Sequence, residues 1–163
     1  MNNAVPTSPS PDINGLISAI AHNREDSVLA RSLGAQSWYI VADFLHPRHF
    51  EKGQVLISQG AADRKLYFLE SGSLKVDVRT EAGFVQLALL GPGTVVGEGS
   101  FFSHLGRNAS VLAYSDCRAW ELDPEDFDAL ARKHPGVALS LSMALGAILA
   151  TRMLDVSRRI AVT

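Results

Sequence analysis

The sequence predicts a mainly β protein, an antiparallel sandwich or barrel flanked by helices, and three observations carry that reading. From His49 to Leu122 the chain breaks into short apolar runs, each closed by glycine or a polar pair. Within that region Leu74-Lys75-Val76-Asp77-Val78-Arg79 alternates apolar and charged positions, as a half-buried strand does. On both sides of it the apolar period becomes helical. The chain has 163 residues, 47% of them hydrophobic, which is enough for one core.

Residues 1–11 carry Pro6, Pro9 and Pro11 among Ser, Thr and Asn, have almost nothing to bury, and are expected as a disordered tail. Residues 12–45 are expected as an N-terminal helical segment. Asp12 caps a first helix whose Ile13, Leu16, Ile17 and Ile20 share one face. A second helix runs from about Arg24 to Leu33 and stops at Gly34; a third carries Trp38, Ile40, Val41, Phe44 and Leu45 and ends at Pro47.

Residues 46–123 are the β core. Strands are expected at Phe50 and at 55–58, 65–69, 73–79, 84–90, 94–96, 109–114 and 118–122, with turns at Gly53, Gly60, Gly72, Gly83, Gly91-Pro92-Gly93 and Gly97. Residues 124–163 return to helix. Asp123 caps, Pro124 takes the first helical position, and Phe127, Leu130 and Ala131 form the buried stripe. A last helix starts at Pro135 and runs to about Val162, with Val137, Leu141, Leu145, Ile148 and Leu149 on an apolar face and small residues between them. Those small residues suit a lid or a self-associating helix. The same pattern suits a helix lying on its own barrel.

Composition excludes several classes. Fifteen basic and seventeen acidic residues are spread along the chain, so no basic patch invites direct nucleic-acid binding. Cys117 is the only cysteine, which removes an intramolecular disulfide and a thiolate metal cage and points to the cytoplasm. The longest uncharged run, 135–151, contains Ser140 and Ser142 and falls short of the roughly 20 apolar residues of a spanning helix, so no membrane span is expected. His46, His49 and His104 make no ligand pair inside a strand, so no metal site, and no metal enzyme on a similar barrel, is expected.

One stretch looks built for chemistry: Gly97-Glu98-Gly99-Ser100-Phe101-Phe102, followed by Ser103 to Ser110. If the backbone turns at Gly97 and makes one short helical turn, the first N–H groups of that turn attract an anion. Arg107 is then in reach to grip a phosphate through parallel hydrogen bonds. Ser100, Asn108, Ala109 and Ser110 are small or polar enough to bring further main-chain donors close. Glu98 beside a phosphate is repulsive unless a neutral donor lies between them, and the free 2′-hydroxyl of a 3′,5′-cyclic ribonucleotide is such a donor. The spacing equally allows Glu98 and Arg107 to pair with each other across a turn.

Val96-Gly97-Glu98, followed by Arg107-Asn108-Ala109-Ser110-Val111, closely resembles the phosphate-binding cassette of cyclic-nucleotide-binding domains, the family of the bacterial catabolite activator protein and protein kinase A regulatory subunits. The likeness extends through 53–60, Leu66-Tyr67-Phe68-Leu69, Gly72, Gly91-Pro92-Gly93, Ala113, Cys117 and 123–127, and covers about residues 40–155. It implies an eight-stranded jelly-roll barrel with the last helix as a lid or dimerisation helix. It also implies a non-catalytic receptor for a cyclic nucleotide, cyclic AMP favoured over cyclic GMP, in which ligand closes that helix over the barrel.

By the same resemblance Glu98 takes the ribose hydroxyl, Arg107 the cyclic phosphate, and Gly97, Gly99, Ser100, Asn108 and Ala109 line the cradle. Arg152, with Thr151 and Met153 within alignment error, falls near the purine. Two positions depart from the family: 99 is usually bulky and apolar and is Gly here, and 108 is usually Ser, Thr or Ala and is Asn here. The chain ends at Thr163, which leaves no length for the helix-turn-helix of the family's transcription factors. The expected output is therefore a homodimer through the last helix, an unidentified protein partner, or a domain outside this chain. The alternatives are a ligand-free interaction or assembly module on the same barrel and a cyclic-dinucleotide sensor.

Overall fold

A computed structural model describes the backbone of residues 11–161 and the side chains as far as Val156. The tail expected at 1–11 lies, apart from Pro11, outside the described residues.

Three helices open the chain: α1 (Asn14–His22), α2 (Ser27–Ser32) and α3 (Ala35–Ala42). Asp12 sits one residue before the N-cap of α1, and its Oδ1 accepts the Asn14 N–H at 3.0 Å. The second and third helices are shorter than their apolar patterns suggest. Leu33, Phe44 and Leu45 are apolar because they are packed, not because they are helical.

Eight strands follow: β1 (His46–Phe50), β2 (Val55–Ile57), β3 (Leu66–Ser71), β4 (Leu74–Thr80), β5 (Gly83–Leu90), β6 (Val95–Val96), β7 (Ser110–Ala113) and β8 (Cys117–Leu122). They form two antiparallel four-stranded sheets, ordered β1-β8-β3-β6 and β2-β7-β4-β5, the jelly-roll arrangement with flanking helices. β1 begins at His46 and contains Pro47, where the sequence suggests only a helix end. A proline that cannot donate to a ladder is tolerated there because β1 is an edge strand.

The alternation of β3 explains why it opens with an unbroken apolar run, Leu66 to Leu69. Leu66 and Phe68 face the helices and join a core with Trp38, Leu16, Trp120 and Leu141. Tyr67 and Leu69 face the opposite sheet and join a second core with Ile57, Leu74, Val111 and Ala119. With both faces covered, those four residues have no solvent side to make polar. The side chain of Cys117 is buried in the second core, and burial raises its thiol pKa.

Between β6 and β7 lies the short helix α4 (Glu98–Ser103), and after the barrel come α5 (Pro124–Lys133) and α6 (Pro135–Ala161). Pro124 occupies the first position of α5, but the Asp123 side chain makes no cap bond; its Oδ1 lies 3.6 Å from Lys65 Nζ. α6 buries Ala138, Leu141, Ala144, Leu145 and Ile148 and packs against α2 and α5. Its stretch Pro135–Val156 is the one described helix long and apolar enough to cross a membrane by length and composition.

Candidate functional site

The centre of the site is the junction of β6 and α4. β6 pairs with β3 through Tyr67↔Val96, which presses the next residue against the end of the sheet. A Cβ at that residue would lie 2.4 Å from the Lys65 carbonyl oxygen and 2.9 Å from Arg107 Nη1, and φ there is +98°. Only glycine satisfies both conditions, and the residue is Gly97. Its turn starts α4 with Glu98 as the first helical residue. The N–H groups of Glu98, Gly99 and Ser100 have no partner within so short a helix. Glu98 and Ser100 are each 7% exposed. A side chain at Gly99 would meet open space, so the missing bulk there leaves room rather than relieving a clash.

Arg107 is 4% exposed and is pinned first by its main chain. Its N–H donates to the Ala61 carbonyl at 2.8 Å, and its carbonyl accepts from the Gly60 N–H at 2.7 Å. The guanidinium is then nearly saturated. Nη2 donates to Asp63 Oδ1 at 2.5 Å and to the Lys65 carbonyl at 2.7 Å, Nε to Asp63 Oδ2 at 3.4 Å, and Nη1 to the Gly97 carbonyl at 3.1 Å. Four of its five N–H groups are used, and one, on Nη1, is left at the Gly97 side. Burial by itself would raise the Asp63 carboxyl, but the hydrogen bond and charge of Arg107 outweigh it and hold that pKa below its ordinary value.

Glu98 has a different partner. Its Oε1 accepts from Arg152 Nη1 at 2.6 Å, and the same Nη1 donates to the Val95 carbonyl at 2.9 Å. Arg152 Nη2 donates to Asp26 Oδ2 at 2.8 Å and to Thr94 Oγ1 at 3.2 Å. Burial alone would lower the pKa of Arg152; the charges of Glu98 and Asp26 outweigh it and raise it further.

Glu98 and Arg107 therefore do not bond to each other, as their spacing allowed; each carries its own counter-ion. Arg152, which the resemblance puts at the purine end, has its guanidinium on Glu98 in this structure. Thr151 donates its hydroxyl to the Ala147 carbonyl at 2.9 Å, and Met153 is exposed on α6. Asn108 is exposed, Ala109 is half-buried, and the Ser110 hydroxyl accepts the Gln59 N–H at 2.9 Å. Sequence reading missed Asp63, Asp26 and Thr94. They lie 44 residues from Arg107 and 126 and 58 from Arg152, and no local pattern links such separations.

Among the described residues one cluster has the donor types for a metal ion: His46, Asp123 and Asp126. His46 Nε2 and Asp126 Oδ2 already bond at 2.7 Å, and Lys65 brings a positive charge to Asp123.

A family profile described as the cyclic nucleotide-binding domain matches residues 47–134. The chain belongs to the cyclic nucleotide-binding domain family. The cyclic AMP receptor protein of Thermus thermophilus is 33% identical over 121 residues, which are 73% of this chain and 56% of that protein. Glutaminase 2 of Bradyrhizobium diazoefficiens is 36% identical over 113 residues, 69% of this chain but 18% of that protein. The chain thus spans about half of the first relative and less than a fifth of the second. A solved cyclic nucleotide-binding domain from Methylobacillus flagellatus superposes with a TM-score of 0.80 at 16% identity, covering 91% of this chain and 84% of that one. As a cyclic nucleotide-binding domain, the chain has Gly97, Glu98 and Arg107 in one junction between the two sheets.

Proposed function

We propose that this domain is a non-catalytic cytoplasmic receptor for a 3′,5′-cyclic nucleotide, with cyclic AMP preferred to cyclic GMP. One observation carries the reading: a buried carboxylate and a buried guanidinium stand together at the start of α4, each held by a counter-ion of its own and not by the other. In this reading the phosphate takes the remaining Nη1 proton of Arg107 and the N–H groups at the start of α4, with Gly97, Gly99, Ser100, Asn108 and Ala109 as the cradle wall. The ribose 2′-hydroxyl donates to Glu98. We place Arg152, with its neighbours Thr151 and Met153, at the purine end, its guanidinium kept within the site by Glu98. The preference for cyclic AMP draws on the name of the Thermus relative.

The response we propose is a shift of α6, driven by the ligand's higher affinity for one of its positions. α6 offers a partner surface: Leu139, Met143 and Met153 are exposed, and 139, 143, 146, 150 and 153 recur in steps of four and three along the helix. A second copy of this chain is the occupant we favour. In this reading α6 is a packed helix and does not span a membrane.

Calorimetric titration with cyclic AMP, cyclic GMP and a cyclic dinucleotide tests the receptor reading, which predicts heat with at least cyclic AMP. The runner-up is an assembly module that has lost its ligand. What favours it is that Asp63 and Arg152 already occupy the two charges. Heat with none of the three nucleotides would select it.

A further inference from the structure

Asp26 is the N-cap residue of α2, a position where aspartate ordinarily turns its carboxylate onto the helix's own free N–H groups. Here it makes no such bond. Its Oδ2 instead accepts from Thr94 Oγ1 at 2.8 Å and from Arg152 Nη2 at 2.8 Å. The helix gives up a cap so that this carboxylate is turned toward the site.

The geometry around Arg152 says what that orientation accomplishes. Three of its acceptors, the Val95 carbonyl, Thr94 Oγ1 and Asp26 Oδ2, are independent of Glu98 and fix the plane of the guanidinium. The remaining bond, 2.6 Å to Glu98 Oε1, then fixes the carboxylate. Glu98 Oε2 makes no hydrogen bond to any described residue. Without the guanidinium, Glu98 and Asp26 would be two mostly buried carboxylates with no shared cation, an arrangement that burial and like charge disfavour.

We propose that Asp26 is a positioning residue for ribose recognition: it holds Arg152, and Arg152 holds Glu98 with Oε1 occupied and Oε2 open to the 2′-hydroxyl of a cyclic ribonucleotide. The inference rests on the receptor reading above. It also couples two ends of the chain, since Asp26 belongs to the start of α2 and Arg152 to α6. Ribose binding and the seating of α6 are then linked, and each strengthens the other.

The test is calorimetry on the full chain with two probes, cyclic AMP and 2′-deoxy cyclic AMP. Asp26→Asn, which keeps the shape and removes the charge, is expected to lose about tenfold of the preference for the ribonucleotide while leaving 2′-deoxy affinity unchanged. Asp26→Glu, which keeps the charge, is expected to retain part of the preference. Thr94→Val, a second variant on a different element, is expected to give a smaller loss in the same direction. An unchanged preference in Asp26→Asn overturns the inference, as does a parallel weakening of both probes, which is what a loosened α2 alone would cause. Wild-type protein that binds neither probe refutes the receptor reading itself, whereas wild-type binding with an unaltered preference in the variants refutes only the role of Asp26.

Discussion

Asp63 holds Arg107 through both carboxylate oxygens, one on Nη2 and one on Nε, while the carbonyls of Lys65 and Gly97 take two more of its N–H groups. The guanidinium is therefore set in place before any anion arrives, with one donor to spare. Replacing Arg107 by alanine is expected to cost about 2–5 kcal/mol of cyclic nucleotide binding, the range for truncating one partner of a buried charge pair. The protein should still fold, because Asp63 is 39% exposed and can be hydrated. Calorimetry with cyclic AMP, alongside a melting curve, checks both. Unchanged affinity would place the phosphate elsewhere.

The same pair predicts a pH dependence. The folded-state pKa of Asp63 lies below its ordinary 3.8, so the stability it contributes is present in full above that value. It is lost as pH falls through the lower folded value. The melting-temperature gap between wild type and Asp63→Asn should be constant above about pH 5 and shrink below about pH 4. A gap that persists at pH 2 would mean that the carboxylate's charge is not what stabilises Arg107.

Glu98→Gln keeps the size of the side chain and its carbonyl oxygen but removes the charge that accepts a hydroxyl proton and faces Arg152. The preference for cyclic AMP over its 2′-deoxy analogue should fall, with little change for the analogue. Competition binding of the two nucleotides measures it, and equal weakening of both would show that Glu98 does not read the ribose.

Gly97→Ala tests the backbone on which both charges depend. It places a Cβ at φ +98° and 2.4 Å from the Lys65 carbonyl oxygen. A loss of about 1–3 kcal/mol is expected from the conformation alone, visible as a lower urea midpoint at unchanged slope. A midpoint equal to wild type would mean that the turn can relax without cost.

Met143 is 68% exposed on the outer face of α6, next to Leu139 at 64%. If a second copy of the chain covers this face, Met143→Glu should convert a dimer to a monomer in sedimentation velocity without lowering the melting temperature of the monomer. A wild-type monomer, or a dimer indifferent to the substitution, would rule out this seam.

Most of the barrel was legible because its signals are local. Alternation in β4, the apolar run of β3 and the glycines between strands each follow from neighbours a few residues apart. Pro47 misled, since a proline reads as a helix stop unless one knows that its strand lies at an edge. Asp123 misled in a smaller way: it stands at the cap position of α5, but its side chain makes no cap bond and lies near Lys65 instead.

The site divides in the same manner. By itself the sequence determined that Gly97, Glu98 and Arg107 fall within eleven residues of chain, so that one connection between strands carries all three, a spacing we read as suiting an anion beside a hydroxyl. Only the tertiary structure decided which counter-ion each charge takes. Asp63 comes to Arg107 from the β2–β3 connection, and Arg152 comes to Glu98 from α6 with Asp26 behind it. Ion pairing depends on distance through space, and residues 44 to 126 positions apart acquire that distance only when two sheets and the flanking helices have closed around them.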